Sequence, residues 1–309
     1  MAISAATMTG DFSGFLSPEK SGPIFESARR QSSVQQHCRQ VPLGANGVEI
    51  PVVTGKVSTG WVSEGGQKPA SSGSMALKTI SPKKLAAIAV VSAEVVRANP
   101  GGYMDELRPQ IGEAFAAAFD AAALHGTSTP FGSSNKIDAT TKSVEIGTAA
   151  ASAGGVHTDL VSGLSLLVAA GKKLTGFAFD LLAEPTFLTS VDTNGRPLYL
   201  ESPYDGTAPA ARQGRLLGRP TFMGEGISTA VVSGTPNTGG VIGYGGDWSQ
   251  AVWGVVGGIS YDVSTEATVT INGTLTSLWE HNLVAVRAEA EYGWLVNDAD
   301  AFVQYTNHN

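Results

Sequence analysis

Hydrophobic residues recur at every third or fourth position along one segment in the first half of the chain. This stripe predicts an amphipathic helix over residues 104–124, with one face turned toward a core. Its members are Met104, Leu107, Ile111, Phe115, Ala118, Phe119 and Ala122. Pro109 lies inside the pattern, so the regular helix either begins near Leu107 or kinks at the proline.

A strict period of two marks a segment near the end of the chain. Residues 284–294 alternate between apolar and polar side chains, which predicts a strand with one buried and one solvated face. The apolar face carries Val284, Val286, Ala288, Ala290, Tyr292 and Trp294, and the other carries Arg287, Glu289 and Glu291. Such a charged row usually forms ion pairs across strands or between subunits. We therefore take Arg287, Glu289 and Glu291 as candidate inter-subunit contacts.

The remaining patterns mix helices and strands. β-branched runs predict strands over residues 34–54 and 77–92, a buried strand over 178–183 and short strands within 203–246. A second helix is predicted over 159–173, capped by Thr158 or Asp159, and a short one over 186–191. The fold class is therefore α+β.

Residues 56–75 differ from the strands that flank them. The segment has two turn candidates and almost no core-forming residues, and it predicts a long hairpin arm reaching about 40 Å. A two-stranded hairpin is only marginally stable alone in water. The arm must therefore pack on a neighbouring subunit, with Trp61, Val62, Glu64 and Lys68 as candidate contacts, unless it is a disordered surface loop.

Composition narrows the function classes. The 309 residues include 38 Gly and 15 Pro, which disfavours a coiled coil or helical bundle. The net charge of −7 disfavours a protein that coats nucleic acid. The single cysteine, Cys38, excludes an internal disulfide and is compatible with a reducing compartment. We find neither a signal peptide nor a transmembrane stretch, and expect a soluble, non-secreted protein without membrane contact.

The sequence contains few motifs for catalysis, cofactor binding or metal binding. The chain has no phosphate-binding P-loop, no G-x-S-x-G nucleophile elbow and no H-E-x-x-H metal motif, and its five histidines are scattered. We therefore expect no catalytic site, no cofactor and no metal. One enzymatic alternative stays open, a Gly-rich α+β hydrolase or lyase that uses the carboxylates of Glu289 and Glu291.

Several motifs in a fixed order carry a family resemblance. PKKLAAIAVVSAEVV (82–96) precedes the amphipathic helix, DAAALHGTSTPFG (120–132) ends it, and HNLVAVRAEAEYGWLVNDADAFV (281–303) lies near the end of the chain. In this order they resemble the major capsid proteins of tailed bacteriophages. That is the Hong Kong ninety-seven phage-like capsid family, whose shell fold encapsulins and herpesvirus capsid floors share. The resemblance extends from about residue 34 to the end of the chain.

The resemblance implies a domain organisation. It comprises an N-terminal arm (1–33), an extended hairpin loop (56–75), a peripheral domain with a long spine helix (34–55, 76–132 and 276–309) and an inserted axial domain (133–275).

The resemblance also implies a structural function. Hexamers and pentamers of the chain would form an icosahedral phage head around double-stranded DNA, without sequence-specific binding. The protein would be assembled in the bacterial cytoplasm and end in the virion. Because the arm is short, we expect a separate scaffolding protein beside a portal and a possible decoration protein. An encapsulin compartment is the alternative with the same fold.

Overall fold

The computed structural model describes most of the chain after the predicted arm. The described residues are 32–55, 57–68, 70–99, 103–150, 153–190, 199–201, 212–229, 231–232, 235–236 and 240–307. The predicted arm lies outside them except for Ser32 and Ser33. The α-helices are α1 (Ser33–His37), α2 (Ala93–Ala98), α3 (Tyr103–Asp120), α4 (Val156–Ala169) and α5 (Glu184–Thr189).

Strands outnumber helices in the described residues, and the two together form the α+β fold that the sequence predicts. They are β1 (Arg39–Gln40), β2 (Val48–Gly55), β3 (Ser74–Ile80), β4 (Lys83–Ser92), β5 (Ser143–Ile146), β6 (Gly176–Asp180), β7 (Leu200–Glu201), β8 (Arg212–Leu216), β9 (Arg219–Gly224), β10 (Val231–Val232), β11 (Thr235–Pro236), β12 (Val241–Gly246), β13 (Ala251–Ser264), β14 (Thr268–Ile271), β15 (Thr274–Ser277), β16 (Leu283–Val296) and β17 (Phe302–Asn307).

A four-stranded sheet, in the order β1-β13-β16-β4, supports the helix α3. One buried cluster contains the large members of the α3 stripe from Leu107 to Phe119 and the even-numbered residues of β16 from Val286 to Val296, as the two periodicities predict. Phe119 is at its centre, with ring centroids 5.0 Å from Tyr292 and 6.1 Å from Trp294. The aromatic cluster therefore fixes the end of α3 on the sheet.

The helix α3 begins at Tyr103 and includes Pro109 in its interior, so the alternative start near Leu107 is wrong. It continues into a π-helical turn, Ala121–His125, which ends where Gly126 adopts the left-handed φ of 73°. Asp120, fully buried at the last position of α3, accepts a hydrogen bond from the Ser33 backbone N–H at 2.9 Å. The spine helix thus holds the start of the described chain.

A seven-stranded sheet, in the order β5-β17-β12-β6-β9-β8-β7, forms a second layer. Phe177 and Phe179 of β6 face a cluster that includes Leu160 and Leu167 of α4. Ala178, between them, faces the same cluster as α3. The sheet is buried on both faces at this strand, which explains why β6 is uniformly apolar up to Asp180 rather than alternating.

The helix α4 differs from its prediction in both position and cap. It covers Val156–Ala169 rather than 159–173, and Gly155 occupies the N-cap without a side-chain hydrogen bond. Asp159 is buried inside the helix, where its carboxylate accepts hydrogen bonds from the Gly147 N–H and the Thr148 hydroxyl. The carboxylate therefore ties α4 to the segment after β5.

The sheets do not follow the predicted domain boundaries strictly. The strand β13 (251–264) belongs to the predicted axial segment but pairs with β16. The last strand, β17, belongs to the predicted peripheral segment but pairs with β12 and β5 in the seven-stranded sheet. The chain therefore crosses between the two sheets more often than the predicted division assumes, and the division itself stays a prediction.

Candidate functional site

The predicted hairpin is built on the strands β2 and β3. They pair antiparallel from Val48 with Ile80 to Gly55 with Ser74. The loop between them is 56–73, and its described residues, 57–68 and 70–73, contain no strand. Beyond the ladder, the Ser71 hydroxyl lies 2.9 Å from the Ser58 N–H and 3.1 Å from the Ser58 carbonyl oxygen, which ties the two legs together. The hairpin is therefore longer than its paired strands.

The hairpin exposes most of its large apolar side chains. Val53, Val57, Trp61, Val62, Met75 and Leu77 are all exposed. Trp61 is at 106% of its reference area, so its indole is fully in contact with solvent. Glu64 and Lys68, the charged members of the predicted contact set, are exposed as well. Exposed apolar side chains in this number are typical of a surface that another molecule covers, and whether one does so here stays a prediction.

The base of the hairpin, where β3 ends at Ile80, packs closely against the four-stranded sheet. Ile80 is 1% exposed and lies over Gly293 of β16. A methyl group added to Gly293 would lie 2.5 Å from Cγ2 of Ile80. The same methyl group would lie 2.7 Å from Cδ2 of Leu43. The Lys78 ammonium donates a hydrogen bond to the Asn297 carbonyl oxygen at 2.6 Å. The missing side chain at Gly293 therefore sets where the hairpin leaves the sheet.

The charged row on β16 forms ion pairs across the four-stranded sheet. Arg287 lies opposite Asp262 of β13 and binds its carboxylate at 2.8 Å. Glu289 lies 3.1 Å from the Lys84 ammonium of β4 and 3.5 Å from the Arg287 guanidinium. Glu291 forms no ion pair within the described part of the chain. Arg287 and Glu289 thus form the cross-strand ion pairs that the pattern indicates, whereas Glu291 forms none among the described residues.

The electrostatics of this row are those of a structural network. The hydrogen bond that Arg287 donates to the Asp262 carboxylate, with the nearby charge of Glu289, raises the pKa of the Arg287 guanidinium. Because both partners of the Arg287–Asp262 pair are more than half exposed, the pair contributes little to stability. Glu289 is held between two cations, the Lys84 ammonium and the Arg287 guanidinium.

A second polar cluster joins α3 to the seven-stranded sheet. Nδ1 of His125, in the π-helical turn, lies 2.9 Å from the Tyr244 hydroxyl of β12, which also donates to Asp138 at 3.3 Å. Burial lowers the pKa of His125, although the charge of Asp138 opposes the shift. Burial, reinforced by Asp138, raises the pKa of Tyr244. Both side chains are therefore neutral near pH 7.

The predicted contact residues fall into two separate groups. Trp61, Val62, Glu64 and Lys68 are on the loop, while Arg287, Glu289 and Glu291 share one face of β16. No hydrogen bond or ion pair joins the two groups among the described residues. Whether they contact another subunit stays a prediction.

Sequence reasoning missed the residues that support these groups. Lys84 and Asp262 are the partners of the charged row, and Gly293 seats the hairpin. Their positions depend on strand register, which a pattern on a single strand does not reveal. In the described part of the chain, no cluster of three or more His, Cys, Asp or Glu residues could hold a metal ion. Nor does any described helix have the length and apolarity to cross a membrane.

Comparison with known proteins supports the resemblance to phage capsid proteins. The phage capsid family model matches residues 13–307. The probable major capsid protein gp17 of Mycobacterium phage D29 is 45% identical over 306 residues, which are 97% of this chain and 92% of that protein. The protein of the same description from Mycobacterium phage L5 is 45% identical over 317 residues, with the same coverage.

Structural comparison gives the same result. A solved structure from Gordonia phage Cozz matches with a TM-score of 0.74 and 25% identity, covering 97% of this chain and 94% of that one. These relatives favour a phage capsid over the compartment and the hydrolase or lyase alternatives. The chain therefore belongs to the phage capsid family, with the Hong Kong ninety-seven phage-like fold and the structural role of a major capsid protein.

Proposed function

We propose that copies of this chain assemble into the hexamers and pentamers of an icosahedral phage head. The observation that carries the proposal is the hairpin with its solvent-exposed Trp61. An arm that exposes most of its large apolar side chains gains stability when another copy covers it. Closed shells use heterologous contacts of this kind, in which one surface binds a different surface of the next copy.

The proposal extends to the contents and partners of the head. The shell encloses double-stranded DNA without sequence-specific binding, since a net charge of −7 limits attraction of the chain to phosphates. A separate scaffolding protein, a portal and a decoration protein complete the assembly, which takes place in the bacterial cytoplasm before the protein becomes part of the virion. The protein performs no catalysis in this role.

Electron microscopy of the purified chain tests the proposal. The chain is expressed alone and together with the head-assembly genes beside its own, and the products are imaged in negative stain. We expect closed icosahedral particles in at least one of the two preparations. Persistent monomers of 31.8 kDa in both would contradict the proposal.

The enzymatic alternative has its own test. Glu289 and Glu291 are replaced together by alanine, and the hydrolase or lyase hypothesis predicts complete loss of turnover of an ester, amide or hydroxy-acid substrate. The structural proposal predicts no turnover by the parent chain and changes only in assembly for the variant.

A further inference from the structure

The imidazole of His37 faces two carbonyl oxygens at once. Its Nδ1 lies 3.2 Å from the carbonyl oxygen of Ser33, one turn earlier in α1, and its Nε2 lies 3.0 Å from the carbonyl oxygen of Phe177 in β6. A neutral imidazole has one N–H donor and one lone pair, whereas the imidazolium has two donors. In the neutral form one ring nitrogen therefore faces a carbonyl oxygen with its lone pair, and only the charged form can donate to both oxygens.

The surroundings of the ring disfavour that charged form. The ring centroid of His37 lies 4.7 Å from that of Trp248 and 5.6 Å from that of Phe222, which packs edge to face. Burial among these side chains lowers the pKa of His37, although the hydrogen bonds to Ser33 and Phe177 oppose the shift. The docked imidazole is therefore neutral near pH 7 and takes up a proton less readily than it would in water.

Within the described part of the chain, the ionisable groups on the elements around His37 are occupied elsewhere. Burial raises the pKa of the neighbouring Cys38 thiol, so this side chain is uncharged. The other groups are held by hydrogen bonds that do not involve His37: Asp120 of α3 with the Ser33 N–H, Asp180 of β6 with the Ile227 and Ser228 N–H groups, Arg219 of β9 with the Leu174 carbonyl oxygen, and Asp247 with the Ser249 hydroxyl. No ionised side chain among them accounts for the shift in the pKa of His37.

His37 links α1 to the seven-stranded sheet, and contacts on either side of it bind α1 to the other layer. At the start of α1, the carboxylate of Asp120 in α3 accepts a hydrogen bond from the Ser33 N–H. Directly after α1, the Cys38 carbonyl oxygen accepts a hydrogen bond from the Trp253 indole at 3.2 Å, and β1 pairs with β13. Loss of the His37 contact would thus loosen α1 from the seven-stranded sheet without freeing it from α3 and β13.

We propose that His37 is a proton-sensitive link between the two layers of the fold, and that protonation of its imidazole withdraws the ring from Phe177 and Trp248. A withdrawn ring has its ordinary pKa of 6.5, because water solvates the imidazolium, whereas the pKa of the docked ring is lower. The link is therefore intact above about pH 6.5 and weakens as the pH falls below that value. This inference goes beyond the proposed function, since it concerns a contact within one subunit.

Hydrogen exchange of the unassembled full-length subunit tests the link. Exchange is followed by mass spectrometry at about pH 7.5, 6.5 and 5.5 and corrected for the intrinsic effect of pH on amide exchange. We expect the corrected exchange of residues 34–38 to rise severalfold between the two lower values, up to the limit of about tenfold that one proton allows per pH unit. Peptides from β16 report global unfolding, and their exchange should rise less than that of α1.

Two glutamine variants identify the histidine that responds. His37→Gln retains a hydrogen-bonding side chain that does not titrate, and it should abolish the acid-induced rise in α1. His281→Gln is the matched control, because Nδ1 of His281 also lies near the carbonyl oxygen four residues earlier, at 2.9 Å from Ser277, but this histidine is exposed. It should retain the full rise. His125 is intact in both variants, so its own response to pH cancels in the comparison.

Two results of the exchange experiment would overturn the proposal. One is an equal rise in the parent chain and in His37→Gln. The other is stronger protection of α1 at the lowest pH, which would show that the two carbonyl oxygens hold the imidazolium in place.

An NMR titration of the histidine imidazoles in the parent chain provides a second test, which stays valid if His37→Gln does not fold. The His37 resonance, recognised by its proximity to the protons of Trp248, should titrate below pH 6.5. A pKa at or above 6.5 would contradict the proposal. Both tests use the unassembled subunit, so their failure would leave the proposed shell function intact.

Discussion

Replacing Gly293 by alanine should separate the hairpin from its seat while leaving the rest of the sheet intact. The added methyl group would lie 2.5 Å from Cγ2 of Ile80 and 2.7 Å from Cδ2 of Leu43, so both side chains must move by about 1 Å. Overpacking of this kind costs about 1–3 kcal/mol. Because Ile80 and the second anchor, Lys78, are about 7 Å apart, a 1 Å shift at Ile80 tilts the hairpin by about 9°. The far end of the paired strands then moves by about 3–4 Å.

Two measurements check this prediction. Urea unfolding of the unassembled chain gives the loss in the free energy of unfolding, and light scattering gives the yield of particles. Gly112→Ala is the matched control, since a methyl group there meets nothing within 4 Å and alanine in a helix interior gains about 0.5–1 kcal/mol. If Gly293→Ala matches Gly112→Ala in both stability and yield, the account of the hairpin seat is wrong.

Other predictions concern the core, the junction and the charged face. Phe119→Ala should lower the free energy of unfolding by about 3–5 kcal/mol in a urea titration, because it opens the aromatic cluster on α3. Burial lowers the pKa of His125 below its ordinary 6.5, so the unfolded state binds a proton first and stability should fall as the pH drops below about 6.5. Melting curves at pH 7 and pH 5 should show a smaller pH effect in His125→Gln, and equal effects would contradict the assignment. Arg287→Ala should leave the free energy of unfolding nearly unchanged in a urea titration, and the small difference should shrink further in high salt, whereas a loss as large as that of Phe119→Ala would show that its ion pairs are not those of an exposed network.

Periodicity predicted the elements whose packing follows from their own sequence. The stripe of α3 and the alternation of β16 meet in one core, because a repeat of 3.6 or 2 residues places one face against a single neighbour. The hairpin was predictable only in part, since its flanking strands were expected but the described residues of its loop form no strand.

Features that depend on two distant segments were not predictable. Asp159 was expected to cap a helix, but its carboxylate binds the Gly147 N–H and the Thr148 hydroxyl, which only tertiary contacts bring close. The register that places Lys84 near Glu289 arises from the pairing of β4 with β16, about two hundred residues apart. The sequence also did not predict that β13 pairs in the four-stranded sheet and β17 in the seven-stranded sheet. The choice of a pairing partner leaves no pattern within the strand itself.

In the proposed shell, another copy of the chain covers the hairpin loop. Hydroxyl-radical footprinting of Trp61, read by mass spectrometry, tests it in unassembled subunits and in particles from the same preparation. We expect rapid oxidation of the fully exposed indole in the subunit and strong protection in the particle. Equal oxidation of Trp61 in the two states would contradict it.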